Sequence, residues 1–218
     1  MKNVTVPAGS DQQKPLSAED TTRTRTEFSA GPQTGRDGGL DIGSIETLSS
    51  QLAESIGAIL SRRGESLAVA ESLTGGQIST TLAAVPESSD WFAGSVVAYR
   101  PETKFRILGV PEGPVVTEEA ARVMAETVAE RMGVEYAVAT TGSGGPEPQE
   151  GEEPGTTWIA VTANGNTEAS LHELSTDDTE RIVALTVNTA LQAVHNALQE
   201  RASEDTEHVH GAAGEPPD

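Results

Sequence analysis

The chain has 218 residues, 14 basic against 34 acidic side chains, a formal net charge of −20, no cysteine and 3% aromatic residues. That arithmetic excludes disulfides, cysteine-ligated metals and a cysteine nucleophile, and it argues against binding nucleic-acid phosphates, which needs clustered Lys and Arg. No apolar run approaches the roughly 20 residues that span a bilayer, so no membrane association is expected. Residues 1–10 lack the apolar core of a signal peptide, and a cytoplasmic protein is expected.

Residues 1–43 hold few large apolar side chains and are rich in Thr, Ser, Gly, Gln and Asp. They cannot bury enough surface to offset chain entropy and are expected to form a disordered tail. Residues 202–218, with five acids and no Lys or Arg, read the same way. Between them, 44–201 has the length of one domain with a sizeable core.

Within that body, Ile45, Leu48, Leu52, Ile56 and Ile59 recur at helical spacing, with Ser44 as cap and Gly64 as stop. Leu67–Ala70 reads as a strand, followed by Glu71-Ser72-Leu73-Thr74-Gly75-Gly76 and a helix marked by Ile78, Leu82 and Val85. Ser95–Tyr99 reads as a second strand. Pro101 opens a short helix that carries Lys104 and stops at Gly109. Thr117 caps the next helix, with Glu118 and Glu119 in its first turn, and Gly133 ends it. Tyr136–Thr140 is a third strand leading into Gly142-Ser143-Gly144-Gly145-Pro146 and an acidic loop, 147–153. Thr156–Ala163 and Ala169–Leu174 read as a hairpin around Asn164-Gly165-Asn166. Ile182, Leu185, Leu191, Val194 and Leu198 mark a long final helix. Helices alternating with short strands imply a single α/β domain, a mixed sheet flanked by helices.

Three segments could carry chemistry. The first strand-to-helix turn combines hydroxyls (Ser72, Thr74) with glycines that let a ligand approach backbone N–H groups, a setting for a phosphate or an acyl-transfer oxyanion; a plain helix cap is the rival reading. Tyr99 and Lys104 can face one cleft, and a lysine can activate a serine for nucleophilic hydrolysis. Lys104 is the only lysine of the body, in a chain with 11 Arg and 3 Lys. Arg cannot release its proton, whereas a desolvated Lys can. The third segment, 140–146, is a glycine-rich loop after a strand that lacks the spacing of a Walker loop or a dinucleotide fingerprint. The four histidines show no metal-site spacing, and no metal is expected.

Taken in order, Ala70–Gly76, Trp91–Tyr99, Lys104, Leu108-Gly109-Val110, Thr141–Pro146 and Gly155-Thr156 resemble the CinA C-terminal domain family, the competence- and damage-inducible proteins that include nicotinamide-mononucleotide deamidases. The resemblance covers about Ile45 to Leu198. It implies a cofactor-free amidohydrolase that converts nicotinamide mononucleotide to nicotinate mononucleotide and ammonia. It makes Ser72 the nucleophile and Lys104 its base, with Thr74 and Tyr99 beside them. Glu71, Gly75, Gly76, Gly142, Ser143, Gly144 and Gly145 would hold the substrate, and the Gly75-Gly76 amides would bind the oxyanion. It further implies a stand-alone homo-oligomer whose partner is the small nucleotide. A catalytically silent nucleotide- or partner-binding module, or a hydrolase of another carboxamide, are the alternatives. The family's Gly-Asp-Arg before the last helix is replaced by Asp177-Asp178-Thr179, which removes an Arg that would favour a phosphate.

Overall fold

The computed structural model describes residues 39–176 and 178–211, the side chains of 202–211 excepted. The expected N-terminal tail up to residue 38, Asp177 and residues 212–218 lie outside the described residues.

Asp41 and Ser44 both have capping chemistry, and Asp41 takes the role. Its carboxylate accepts the Ser44 amide at 2.8 Å, which starts helix α1 (Ile42–Arg63) three residues ahead of the start expected with Ser44 as cap. That bond also holds the Asp41 carboxyl below its ordinary pKa. Gly64, in the left-handed region at φ 63°, closes the helix. The chain continues through β1 (Leu67–Glu71), α2 (Gln77–Ala83), β2 (Phe92–Val97), α3 (Pro101–Leu108), α4 (Glu118–Met132), β3 (Tyr136–Gly142), β4 (Thr156–Ala163), β5 (Asn166–Glu173) and α5 (Thr179–Gly211).

The five strands form one sheet in the order β2-β1-β3-β4-β5. β1 runs parallel to β2 and β3, while β4 and β5 are antiparallel, so the sheet is mixed as expected. Three boundaries differ from the sequence reading. β2 starts at Phe92 rather than Ser95 and ends before Tyr99. β5 begins at Asn166, because Asn164 and Gly165 alone make the turn at φ 51° and 81° and Asn166 already pairs with Ala163. Helix α5 runs on to Gly211, into the stretch expected as acidic tail.

Alternation along the strands divides the core in two. Leu67, Val69, Tyr136 and Val138 pack with α1, α2 and α5 on one face. Ala68, Ala70, Ala137 and Ala139 pack with α3 and α4 on the other, where small side chains let α4 approach closely. On the first face a Cβ at Gly57 would stand 2.8 Å from the Trp91 ring, so the glycine admits the indole. Leu48, expected in the core, is 41% exposed, and the buried stripe of α1 runs through Ile45, Ala53, Ile56 and Leu60 instead.

β1 carries β2 on one side and β3 on the other, so the chain order reverses at β1. In open α/β sheets ligands bind at the carboxyl ends of strands flanking such a switch point. The segments 71–76, 98–104 and 140–146 follow the carboxyl ends of β1, β2 and β3, which gathers all three motifs at one end of the sheet.

Candidate functional site

Glu71 ends β1 and is fully buried. One carboxylate oxygen, Oε2, accepts the Thr74 hydroxyl at 2.8 Å and the amides of Gly76 at 2.9 Å and Ile78 at 3.2 Å. The other, Oε1, accepts the Ser79 amide at 2.9 Å and the Ser79 hydroxyl. A buried carboxylate needs such donors, and these are the otherwise unpaired first amides of α2. Glu71 therefore fixes the turn that presents Ser72, with both oxygens directed into the turn. Thr74 is equally turned inward, its hydroxyl lying 3.2 Å from Thr140 Oγ1.

These contacts bear on the expected oxyanion donors. The Gly75 amide donates to the Ser72 carbonyl at 3.0 Å and the Gly76 amide to Glu71, so both are engaged inside the turn. The amides of Leu73 and Thr74 have no acceptor among the described residues. Gly75 and Gly76 take φ of 59° and 103°, a conformation that favours glycine and bends the chain into α2.

Lys104 lies in the first turns of α3 and is fully buried. Helical side chains lean toward the N-terminus, and its Nζ reaches back to donate to the carbonyls of Ala98 at 2.9 Å and Tyr99 at 3.4 Å. The β1–β2 ladder continues past its last strand pair, with the Ala98 amide donating to the Glu71 carbonyl at 2.7 Å. The ammonium thus hangs on the residue that follows β2, next beyond the Glu71 partner, at the level of Ser72. Ser72 is 6% exposed. Its hydroxyl is not within hydrogen-bonding distance of Nζ. Burial lowers the Lys104 pKa to about 8, against a smaller upward pull from Glu150. Tyr99 projects outward and is 68% exposed, with only its carbonyl touching the lysine.

The glycine loop closes the third side. Gly142 ends β3 opposite Thr157, and a Cβ there would lie 2.6 Å from the Thr156 carbonyl oxygen, so the close ladder admits only glycine. Ser143 is pinned by its amide to the Thr156 carbonyl at 2.9 Å and by its carbonyl to the Gly155 amide at 2.8 Å. Its buried hydroxyl has no partner among the described residues. Gly144 lies against Leu73, and Gly145 against Pro154 and Thr179 at the start of α5. Asp178 accepts the Glu180 amide at 3.0 Å and so caps α5. The substitution in the 177–179 segment thus serves the helix start, with Asp177 itself outside the described residues.

Glu150 is absent from the sequence reading. The acidic loop makes a two-residue hairpin tip, Glu150-Gly151 at φ 57° and 87°, between Gln149 and Glu152. Glu150 Oε2 accepts the amides of Val115 at 2.7 Å and Val116 at 3.1 Å. One acid among Glu147, Glu150, Glu152 and Glu153 carries no local mark that would single it out.

Among the described residues, no group of His, Cys, Asp or Glu could hold a metal ion and no helix is long and apolar enough to cross a membrane. His172 is buried, and burial lowers its pKa; its Nε2 meets Ser170 at 2.8 Å, outside the three motifs.

A mixed five-stranded α/β domain with a serine turn, a buried lysine and a glycine loop at its switch point defines the class of protein. A family model described as the CinA C-terminal domain matches residues 49–198, and the chain belongs to that family. A CinA-like protein of Frankia casuarinae is 39% identical over 145 residues, covering 64% of this chain and 33% of that one. A CinA-like protein of Gemmatimonas aurantiaca is 43% identical over 113 residues, covering 49% and 26%. The chain thus spans about a third of the length of the curated relatives it matches, or less. Among solved structures, a CinA superfamily protein from Klebsiella pneumoniae superimposes with a TM-score of 0.67 at 28% identity, covering 70% of this chain and 98% of that one. One from Escherichia coli gives 0.66 at 28% identity, covering 77% and 99%.

Proposed function

We propose that the domain is an amidohydrolase that converts nicotinamide mononucleotide to nicotinate mononucleotide and ammonia. The observation that carries this reading is the buried Lys104, with a pKa lowered to about 8 by burial, held at the level of Ser72. Ser72 Oγ attacks the carboxamide carbon while its proton passes to Lys104 Nζ, a transfer for which the two groups, not hydrogen-bonded in this structure, must close up when substrate binds. The C–N bond breaks, that proton goes to the departing nitrogen, and ammonia leaves. Water then cleaves the acyl-serine by the same route, regenerating the hydroxyl and giving the carboxylate. The unengaged amides of Leu73 and Thr74 serve as oxyanion donors in place of Gly75 and Gly76. Thr74 and Glu71 hold the turn, and 142–145 forms the opposite wall against Leu73.

Amide hydrolysis needs only water, so the reaction takes no cofactor, and the same reading puts the protein in the cytoplasm. Val97, Tyr99 and Ile107, within seven residues of Lys104 in the chain, are exposed apolar or aromatic side chains. They support a homo-oligomer in which a second copy covers that patch, a patch a charged substitution such as Ile107→Glu would break.

The test is ammonia release from nicotinamide mononucleotide by the full chain. A positioned base contributes on the order of 10²- to 10⁴-fold, so Lys104→Arg and Ser72→Ala are expected to lose at least about 10²-fold. Full activity in either variant overturns the mechanism. Turnover of other carboxamides but not the mononucleotide overturns the substrate, and tight binding without turnover makes the domain a silent nucleotide-binding module.

A further inference from the structure

Backbone amides at the starts of helices are ready partners for a phosphate, and at this end of the sheet the chain fills them with its own carboxylates. At the start of α2, Glu71 takes the amides of Gly76, Ile78 and Ser79. At the start of α5, where Thr179 lies against Gly145 of the glycine loop, Asp178 takes those of Glu180 and Arg181 at 3.0 and 3.4 Å. Glu150 takes those of Val115 and Val116. That last stretch is tied to the carboxyl end of β3, because the Thr141 hydroxyl donates to the Val115 carbonyl at 2.7 Å. A carboxylate thus already sits on three sets of amides that a phosphate could have used.

The cations of this end are committed or turned away. Arg100, just before α3, pairs with Glu102 at 3.5 Å. Arg106 is two residues past the buried Lys104, about 200° further round the helix, and is exposed. The guanidinium of Arg181 lies against Gly39, within the field of Asp41. Lys104 Nζ is spent on the carbonyls of Ala98 and Tyr99. The amides of Leu73, Thr74, Gly144 and Gly145 have no acceptor among the described residues, but they are neutral donors. In the proposed reaction the first two serve the oxyanion.

We propose that the site recognises the ribosylated pyridinium carboxamide and makes no use of the 5′-phosphate, so that the nucleoside, nicotinamide riboside, is a substrate on a par with the mononucleotide. This rests on the amidase reading and fixes its substrate class: a carboxamide on a positively charged, N-glycosylated ring, phosphorylated or not. The phosphate stays in water outside the site, where the net charge of −20 repels it. The nucleoside carries one positive charge and is attracted by the same field. Its reaction is otherwise unchanged: water replaces the amide nitrogen, and nicotinate riboside and ammonia leave.

The test is ammonia release by the full chain from both compounds at 0.01 M and at 1 M sodium chloride. At 1 M, charge is screened beyond about 3 Å. One charge-assisted bond to the phosphate would still be worth about tenfold or more. The two values of kcat/KM are therefore expected to agree within about tenfold at 1 M, and a larger preference for the mononucleotide overturns the proposal. At 0.01 M the nucleoside should lead by about tenfold or more; a lead for the mononucleotide there overturns it as well. Ribose 5-phosphate at millimolar concentration should not compete with the mononucleotide, and competition would reveal the phosphate subsite that the proposal denies. If neither compound releases ammonia, the amidase reading falls and takes the nucleoside with it, whereas a strong preference for the mononucleotide leaves that reading standing.

Discussion

Lys104 Nζ lies 2.9 Å from the carbonyl oxygen of Ala98, the residue whose own amide extends the β1–β2 ladder to Glu71. A side chain from the start of α3 is thereby anchored to the end of the neighbouring strand, beside the turn that carries Ser72. The anchoring groups are neutral carbonyls, which orient an ammonium without compensating its charge, so burial dominates its protonation.

A buried cation held by carbonyls costs stability, and removing it should return some. Lys104→Met keeps much of the volume and the apolar stem, and is expected to raise stability at pH 7 by about 1 to 2 kcal/mol, since buried charges are often replaced by apolar groups at a gain. Activity should disappear. Urea midpoints of the two proteins check the first half and ammonia release the second; a Met variant less stable than the parent would show that the lysine contributes to the fold.

The same charge sets a pH dependence. The native pKa of about 8 lies below the ordinary lysine value of 10.5. Below pH 8 both native and unfolded chains carry the proton, and the burial cost is constant. Between 8 and 10.5 the native state has released it while the unfolded chain still holds it, so stability rises with pH, by at most about 1.4 kcal/mol per pH unit. The difference in unfolding free energy between the parent and Lys104→Met should therefore shrink across that window, which cancels contributions from other groups. For the reaction, kcat/KM should climb about tenfold per pH unit on the acid side and level off above about pH 8.

The parts of this molecule that could be read in sequence are those with local signals. Pro101 and Gly109 bound α3, and Thr117 and Gly133 bound α4, because each acts on the backbone within one turn of itself. The strand-end positions of the three motifs follow from the order of elements. Roles that depend on distant partners were not legible. Glu71 reads as a ligand group, yet its donors are Ile78 and Ser79 in a helix that has not yet begun. Glu150 depends on amides thirty-five and thirty-four residues back. Asp41 and Ser44 offer equal capping chemistry, and only the helix geometry chooses between them. The polar composition of 202–211 reads as tail, while the helical backbone continues from the packed turns of α5 before it.

Glu71→Gln distinguishes a structural carboxylate from a substrate contact. An amide has one acceptor oxygen, and its NH₂ would face the donors of either Ser79 or Thr74 and Gly76. With buried groups left unpaired, stability should fall by about 2 to 4 kcal/mol. The loosened turn should lower kcat with KM little changed. Unchanged stability with a raised KM would mean that the carboxylate touches the substrate. Thermal unfolding together with steady-state kinetics below the melting range decides between the two.

Salt should act on this site in the opposite sense to most anion-binding proteins. With a net charge of −20, the chain repels a phosphate-bearing substrate at long range, and that repulsion reaches about 30 Å at 0.01 M salt but only about 3 Å at 1 M. Local donors, the Leu73 and Thr74 amides among them, are far less screened. KM for nicotinamide mononucleotide is therefore expected to fall as sodium chloride is raised from 0.01 to about 1 M. A neutral analogue such as nicotinamide riboside in its overall uncharged, reduced form should show no such trend. A KM that rises with salt for the mononucleotide would require a cationic group at the phosphate.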